Sequence, residues 1–183
     1  MTAALWYLGR GSGVVSLLLF TTVVLLGIAT RSGRPVPGLT RLAVAGVHRS
    51  VSLLSLGFLA LHVVSLLFDP YAQLRLLDLV VPFAGSYRPL WLGLGTLALD
   101  LVLALTVTSL LRHRLAARTW RAVHWLAYAA WPVAVLHGIG TGTDAATGWL
   151  LALTGGCAAA VVAALAWRVS PSFVPVLREE YLR

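Results

Sequence analysis

Five long apolar stretches divide the chain, and charged residues or prolines separate them. The stretches run at about 5–30, 41–68, 90–111, 119–139 and 148–169. Each has roughly the 20 residues that an α-helix needs to cross the hydrocarbon core of a bilayer. The pattern therefore predicts an all-α membrane protein, with about five transmembrane helices forming a single domain over residues 1–183.

The segment at 69–88, DPYAQLRLLDLVVPFAGSYR, differs from an ordinary polar loop because leucines and valines alternate with charged residues in it. Apolar side chains beside charges are typical of a segment that lies in the membrane interface. We expect a short interfacial helix here. It either covers one end of the bundle or forms part of a docking surface for an outer partner protein.

Composition supports a location in lipid. The chain is 59% hydrophobic and 11% charged, with a mean hydropathy of +0.88, whereas soluble domains carry about 25% charged residues. The formal net charge of +8 comes from arginine alone. In a soluble protein that charge would suggest nucleic acid, but these arginines cluster between apolar stretches. We therefore expect a multi-pass protein of the cell (plasma or inner) membrane, in contact with lipid and not with nucleic acid.

The arginines also predict an orientation. They fall between the first and second stretches, between the third and fourth, and after the fifth (Arg31, Arg34, Arg41; Arg112, Arg114, Arg118, Arg121; Arg168, Arg178, Arg183). Loops rich in Lys and Arg stay on the cytoplasmic side. The N-terminus is then outside and the C-terminus cytoplasmic. The single cysteine, Cys157, excludes an internal disulfide, and we interpret it as a packing residue.

Four histidines lie within the apolar stretches. His48 and His62 are fourteen residues apart in the second stretch, and His124 and His137 are thirteen apart in the fourth. Fourteen residues span about 21 Å of helix and return to nearly the same face. Because the two stretches run in the same direction, His48 and His124 lie at one depth (the inner pair). His62 and His137 lie at another (the outer pair).

Ionisable side chains are costly in a membrane span, so two matched pairs indicate a shared role. Facing imidazoles at two depths would make two stacked axial sites for haem, an apolar disc that a helix bundle can enclose. A proton or metal-ion pathway is an alternative. Zinc or copper would instead need ligands that converge at one depth.

One detail departs from this pattern. Thirteen ideal helical steps turn His137 about 140° away from the face of His124. Either Pro132 kinks the helix and restores the phase, or the two haems are rotated relative to each other.

Several polar residues are candidates for contact with a haem. Haem propionates need cationic partners, and we expect Arg10 and Arg88 near the outer haem and Arg49 and Arg121 near the inner one. Each could instead be an arginine that extends to the interface. The run GRGSG at 9–13 would let a flat cofactor or a neighbouring helix approach closely. Asp100 is expected to be the only buried carboxylate, and we assign it no role.

Two segments resemble a known family. VHRSVSLLSLGFLALHVV and RAVHWLAYAAWPVAVLHG are similar to the ferric reductase-like transmembrane domain. That family includes NADPH oxidases, ferric-chelate reductases and the haem-binding subunit of periplasmic methionine sulfoxide reductase. The 69–88 region looks like small actinobacterial members. The resemblance implies that His48 with His124, and His62 with His137, bind two b-type haems that carry single electrons across the membrane.

The electron donor is a further expectation. The chain shows no GxGxxG motif and no flavin or NADPH domain of the kind that larger relatives carry. A separate flavoprotein or a membrane quinol is then expected to supply the electrons. Two other functions stay open: a self-sufficient quinol-dependent reductase of ferric chelates, oxygen or superoxide, and a non-redox haem carrier or sensor.

Overall fold

The computed structural model describes residues 2–32, 38–142 and 147–173. Its architecture is all-α, as the sequence predicts. The helices are α1 (Thr2–Arg31), α2 (Arg41–Leu67), α3 (Pro89–Leu110), α4 (Ala117–His124), α5 (Ala127–Thr141) and α6 (Gly148–Val169), with a 3₁₀ helix at Leu76–Leu79.

Five helical segments of the described residues are long and apolar enough to cross a membrane, with α4 and α5 counted together as one. The prediction of a multi-pass membrane protein is thereby confirmed. The orientation of the termini stays a prediction, so "inner" and "outer" serve below as labels only. Arg34, Arg178 and Arg183, which supported that orientation, lie outside the described residues.

Helix packing divides the bundle into two pairs. The most extensive contact joins α1 to α2, and the next joins α3 to α5. A small core lies where α1, α5 and α6 meet, and it is built from Trp131, Cys157 and Val161. Cys157 is buried there, which agrees with its expected packing role. Within the described residues α2 packs closely on α1 alone, and this leaves a space between α2 and the histidine-bearing face of α4 and α5.

The fourth span is broken at Trp125–Leu126, and this break is the main departure from the expected elements. The Leu126 N–H bonds the Val123 carbonyl at 2.9 Å, and the Tyr128 N–H bonds the Trp125 carbonyl at 3.1 Å. These i to i+3 bonds are those of a 3₁₀ turn, which advances about 120° per residue rather than 100°. About three such steps recover roughly 60° of the mismatch between the two histidines. Pro132 lies inside α5, so the break is not at the proline.

The 69–88 segment contains the expected short helix, in the form of the 3₁₀ turn Leu76–Leu79. Asp78 anchors it and is only 4% exposed. The Arg75 side chain donates to the Asp78 carboxylate at 3.0 Å, as does the Arg75 backbone N–H. The Thr96 hydroxyl on α3 donates to the Asp78 carbonyl at 2.5 Å. The turn is therefore tied to the bundle, while Leu76 and Val80 remain exposed.

The burial of the acidic residues differs from expectation. Asp78 and Asp69 in this segment are buried, whereas Asp100 is only half-buried. The expectation that Asp100 is the only buried carboxylate was wrong, because depth in a span does not decide burial when local hydrogen bonds enclose a loop carboxylate.

The Asp78 anchor predicts a pH dependence for this segment. Its hydrogen bond from the Arg75 side chain lowers the pKa of Asp78 below the ordinary value of 3.8. A carboxyl whose folded pKa is depressed stabilises the fold above its ordinary pKa, and this stabilisation is lost as the pH falls through the folded pKa. Hydrogen exchange of 69–88, corrected for intrinsic rates, should therefore be constant near neutral pH and rise in strong acid. Asp78→Asn should raise exchange at neutral pH, and Asp100→Asn should leave it unchanged. Equal effects of the two variants would contradict the anchor.

Candidate functional site

A cavity of about 1200 Å³ lies between the helix pairs, and all four predicted histidines line it. Ligand pockets usually measure about 300–1,000 Å³, so this one is larger than a single small ligand requires. Most of the lining is apolar, from leucines, valines and alanines of α1 to α6. The structure thus brings the inner pair and the outer pair to one continuous apolar space.

The outer pair has the spacing of two ligands on one metal. The ring centres of His62 and His137 lie 6.4 Å apart, and their planes are inclined by 82°. A metal–imidazole nitrogen bond of about 2.0 Å puts the ring centre about 3.2 Å from the metal, so two rings on opposite sides have centres about 6.4 Å apart. The outer pair therefore fits a bis-imidazole iron site.

Hydrogen bonds fix the protonation of both outer rings. His62 Nδ1 donates to the carbonyl of Gly9 at 2.7 Å, and His137 Nδ1 donates to the carbonyl of Trp91 at 2.8 Å. A carbonyl oxygen can only accept, so Nδ1 carries the proton and Nε2 keeps its lone pair. A metal-binding histidine needs this arrangement, because its other ring nitrogen is usually held by a carboxylate or a backbone carbonyl.

Each outer ring lies directly on a glycine of the neighbouring helix. A Cβ added to Gly13 would come within 3.0 Å of His62 Nδ1, and one added to Gly95 within 2.5 Å of His137 Nδ1. The sequence indicated close approach at GRGSG but gave no role to Gly95. The sequence does contain a signal of the contact between α1 and α2. Gly13 and Gly27 on α1 have the same fourteen-residue spacing as the two histidines of antiparallel α2.

The inner pair is held less firmly. The His48 ring lies beside Gly27, where an added Cβ would be 3.4 Å from its Cε1 atom. His48 Nδ1 is directed at the carbonyl of Val23, but it does not reach hydrogen-bond geometry and is buried without a partner. His124 Nδ1 is also buried without a partner.

His124 has a different neighbour from the other three histidines. Its ring stacks on Trp120 with centres 5.0 Å apart and planes inclined by 25°, and the Trp120 Nε1 atom is likewise buried without an acceptor. The inner histidines thus lack the hydrogen bonds that fix the outer ones.

The pairing of the histidines favours haem over a bare metal ion. Across residues 2–32, 38–142 and 147–173, no three His, Cys, Asp or Glu side chains converge as a metal site. Structural zinc needs four ligands and catalytic zinc three, whereas a porphyrin brings four nitrogens and asks the protein for one or two axial ligands. Two imidazoles at one level, as in the outer pair, meet the requirement of haem.

Three of the four predicted arginines line the cavity, namely Arg10, Arg49 and Arg121. Arg88 does not. Its Nη1 atom donates to the carbonyl of Gly140 at 2.8 Å, which joins the start of α3 to the end of α5.

Arg168 is a cavity residue that the sequence analysis missed. It was counted among the charges of the tail, but it lies in the last turn of α6 and lines the cavity. Its guanidinium carbon is 4.9 Å from the ring centre of Trp125 and 5.4 Å from that of Tyr128. Its Nη1 atom is buried with no acceptor in the part of the chain that the structure describes. A half-buried cation held between aromatic rings is suited to an anionic group.

Comparison with known proteins gave one family. The family model described as "Ferric reductase like transmembrane component" matches residues 12–135, which is more than half of the chain. The matched part contains His48, His62 and His124, and His137 follows two residues later. No curated protein and no solved structure matched the chain.

A hydrogen bond between α5 and α1, in the middle of the cavity wall, can be tested with a matched pair of variants. Trp131 lies between the two histidine levels on α5, and its Nε1 donates to the Thr21 hydroxyl at 3.0 Å. Thr21→Val leaves this buried donor unpaired and should cost about 1–3 kcal/mol of stability. Thr22→Val on the same helix removes only a hydroxyl that bonds its own helix, and it should change stability by about 0.5 kcal/mol or less. Thermal unfolding in detergent measures both, and an equal loss would contradict this assignment.

Proposed function

The chain belongs to the ferric reductase-like transmembrane family, and from this premise we propose that it is a di-haem b-type cytochrome that carries electrons across a cell membrane. His62 and His137 would hold the outer haem, and His48 and His124 the inner one. Bound haem iron supplies one-electron redox chemistry. The observation that carries the proposal is the 6.4 Å spacing of the two outer imidazoles, whose Nδ1 protons are held by backbone carbonyls.

The protein's own part is to supply ligands in the correct protonation state and to exclude water. The Nδ1–H bonds of the outer pair leave each Nε2 free for iron and raise the basicity of the ligand. With both histidines of a pair bound to it, a haem iron would be closed to oxygen or another small ligand. The apolar lining between the levels would lower the local dielectric around the haems and so influence their redox potentials.

Charged residues at the cavity ends would hold the propionate groups. Arg10 lines the cavity beside the outer pair and Arg49 and Arg121 beside the inner pair, and Arg168 adds a half-buried guanidinium. Arg88 is not part of this proposal, because its guanidinium binds the Gly140 carbonyl. Bidentate arginine–carboxylate pairs are strong and directional.

The position of the two levels supports transfer between faces. They are separated by about 21 Å of helix, so one lies toward each end of the bundle. A separate flavoprotein or a membrane quinol would give up its electrons at one face. An acceptor at the other face would gain them one at a time, and the chain would act as the haem subunit of an oxidoreductase system.

Histidine substitutions test the ligand assignment. The wild-type protein made with ample haem should contain two haems per chain in a pyridine haemochrome assay. His62→Ala or His137→Ala should leave the inner haem, and His48→Ala or His124→Ala the outer one. His113→Ala, an exposed histidine between α3 and α4, should keep both. A wild-type protein without haem, or loss of haem in the His113 variant alone, would refute the assignment.

Transfer across the membrane is tested in liposomes that enclose ferricyanide. Dithionite added outside should reduce the enclosed ferricyanide when the wild-type protein is present, because the chain links the two faces. His62→Ala, which lacks one level, should slow that reduction to the rate of protein-free vesicles. If both haems are reduced but the ferricyanide is not, the protein binds haem without transferring electrons across the bilayer.

A further inference from the structure

Glycines of the neighbouring helices lie against three of the four histidines. We propose that Gly13, Gly27 and Gly95 are positioning residues, and that the lack of such a glycine beside His124 makes the inner haem the more weakly held of the two. This inference rests on the function proposed above and adds to it an order of binding strength.

The geometry repeats in three places. His62 lies on Gly13 and bonds the carbonyl of Gly9, four residues earlier. His137 lies on Gly95 and bonds the carbonyl of Trp91, again four residues earlier.

His48 follows the same pattern less closely. It lies beside Gly27 and is directed at the carbonyl of Val23, also four residues earlier, without reaching hydrogen-bond geometry. At Gly13 and Gly95 the imidazole from one helix occupies the place of a missing side chain on the next, whereas at Gly27 an added Cβ would make an ordinary contact with the His48 ring.

The reason for glycine lies in the helix itself. The side chain at one position lies beside the carbonyl four residues before it, as hydroxyls elsewhere in this chain demonstrate. Thr21 bonds the carbonyl of Leu17 at 2.8 Å and Ser52 that of His48 at 2.7 Å. That carbonyl already accepts one bond within the helix but has a second lone pair. Only when no side chain is present can an imidazole from a neighbouring helix reach the second lone pair.

His124 has no equivalent support. Its neighbour α3 carries glycines only at 93 and 95, near the outer pair. In the inner half of α3 the carbonyls of Val102 and Ala104 already accept hydroxyls of Thr106 and Thr108, each at 2.7 Å. His124 Nδ1 is accordingly buried without a partner, and its ring rests on Trp120 of its own helix.

The two haems should then differ in how firmly they are held. Loss of a hydrogen-bond partner behind a metal ligand typically costs about ten- to a hundredfold in metal affinity. The outer haem has such a partner behind both ligands, and the inner haem has none that reaches hydrogen-bond geometry.

Transfer of haem to an excess of apomyoglobin tests this order. The inner haem should leave the wild-type protein about ten- to a hundredfold faster than the outer one. His62→Ala and His48→Ala, which retain one haem each, identify which spectrum belongs to which site. Loss of the outer haem first, or equal rates, would overturn the inference.

Glycine substitutions test the positioning role directly. Gly95→Ala should lose the outer haem, or keep it with a shifted midpoint potential and an altered low-spin EPR signal, because the added Cβ overlaps His137. Gly13→Ala should have a smaller effect and Gly27→Ala the smallest, in the order of the Cβ distances of 2.5, 3.0 and 3.4 Å. Gly11→Ala and Gly57→Ala, where an added Cβ meets nothing within 4 Å, serve as controls for replacing a helical glycine.

The outcomes separate this inference from the proposed function. If the wild-type protein binds no haem, the proposed function fails. If it binds two haems but Gly95→Ala retains both with unchanged potentials and EPR signals, the function stands and the positioning role is wrong. If Gly95→Ala also loses the inner haem or unfolds, its effect is not specific to the outer haem, and Gly13→Ala then decides the question. That variant should perturb the outer haem alone, and a wild-type outer haem in it would refute the role.

Discussion

The hydrogen bond from an imidazole Nδ1 to the carbonyl of a neighbouring helix organises this bundle. Inside a membrane no water is available, so a buried donor that lacks an acceptor within the protein is costly. Helix carbonyls are the acceptors at hand, and reaching one requires the two helices to come close. His62 links α2 to α1 in this way, and His137 links α5 to α3. Among the described residues these two helix pairs make the most extensive contacts, and the cavity is the space between them.

The sequence predicted the spans well and placed the four histidines on one cavity, for a physical reason. The length of an apolar stretch indicates whether it can cross a bilayer. The position of a histidine along its span gives its expected depth, as for His48, His62, His124 and His137. All four do line one cavity. The short helix in 69–88 was also confirmed, because alternation of leucine with charge marks such a segment.

Lateral contacts were less predictable. Depth does not say which helix lies beside a residue, so Gly95 received no role although its position against His137 is the tightest of the glycine contacts with a histidine. Arg168 was counted with the positive charges of the C-terminal tail, which served to predict the orientation. The predicted fifth stretch already extended past this position, but only the fold reveals that α6 brings Arg168 to Trp125 and Tyr128. Burial of Asp78 rather than Asp100 likewise depended on hydrogen bonds that no hydropathy profile records.

Because of the tight turn at Trp125–Leu126, a change in the number of residues between the two histidines of this span can be compensated by a change in helical twist. The fourth span has one residue fewer between its histidines than the second, and its overwound turn supplies part of the missing rotation. An insertion or deletion between His124 and His137 could then be accommodated by relaxing or extending the turn. In α2, which is one unbroken helix, the same change would rotate His62 away from Gly9 by about 100°. The two histidine-bearing spans should therefore tolerate different changes in histidine spacing as related sequences diverge.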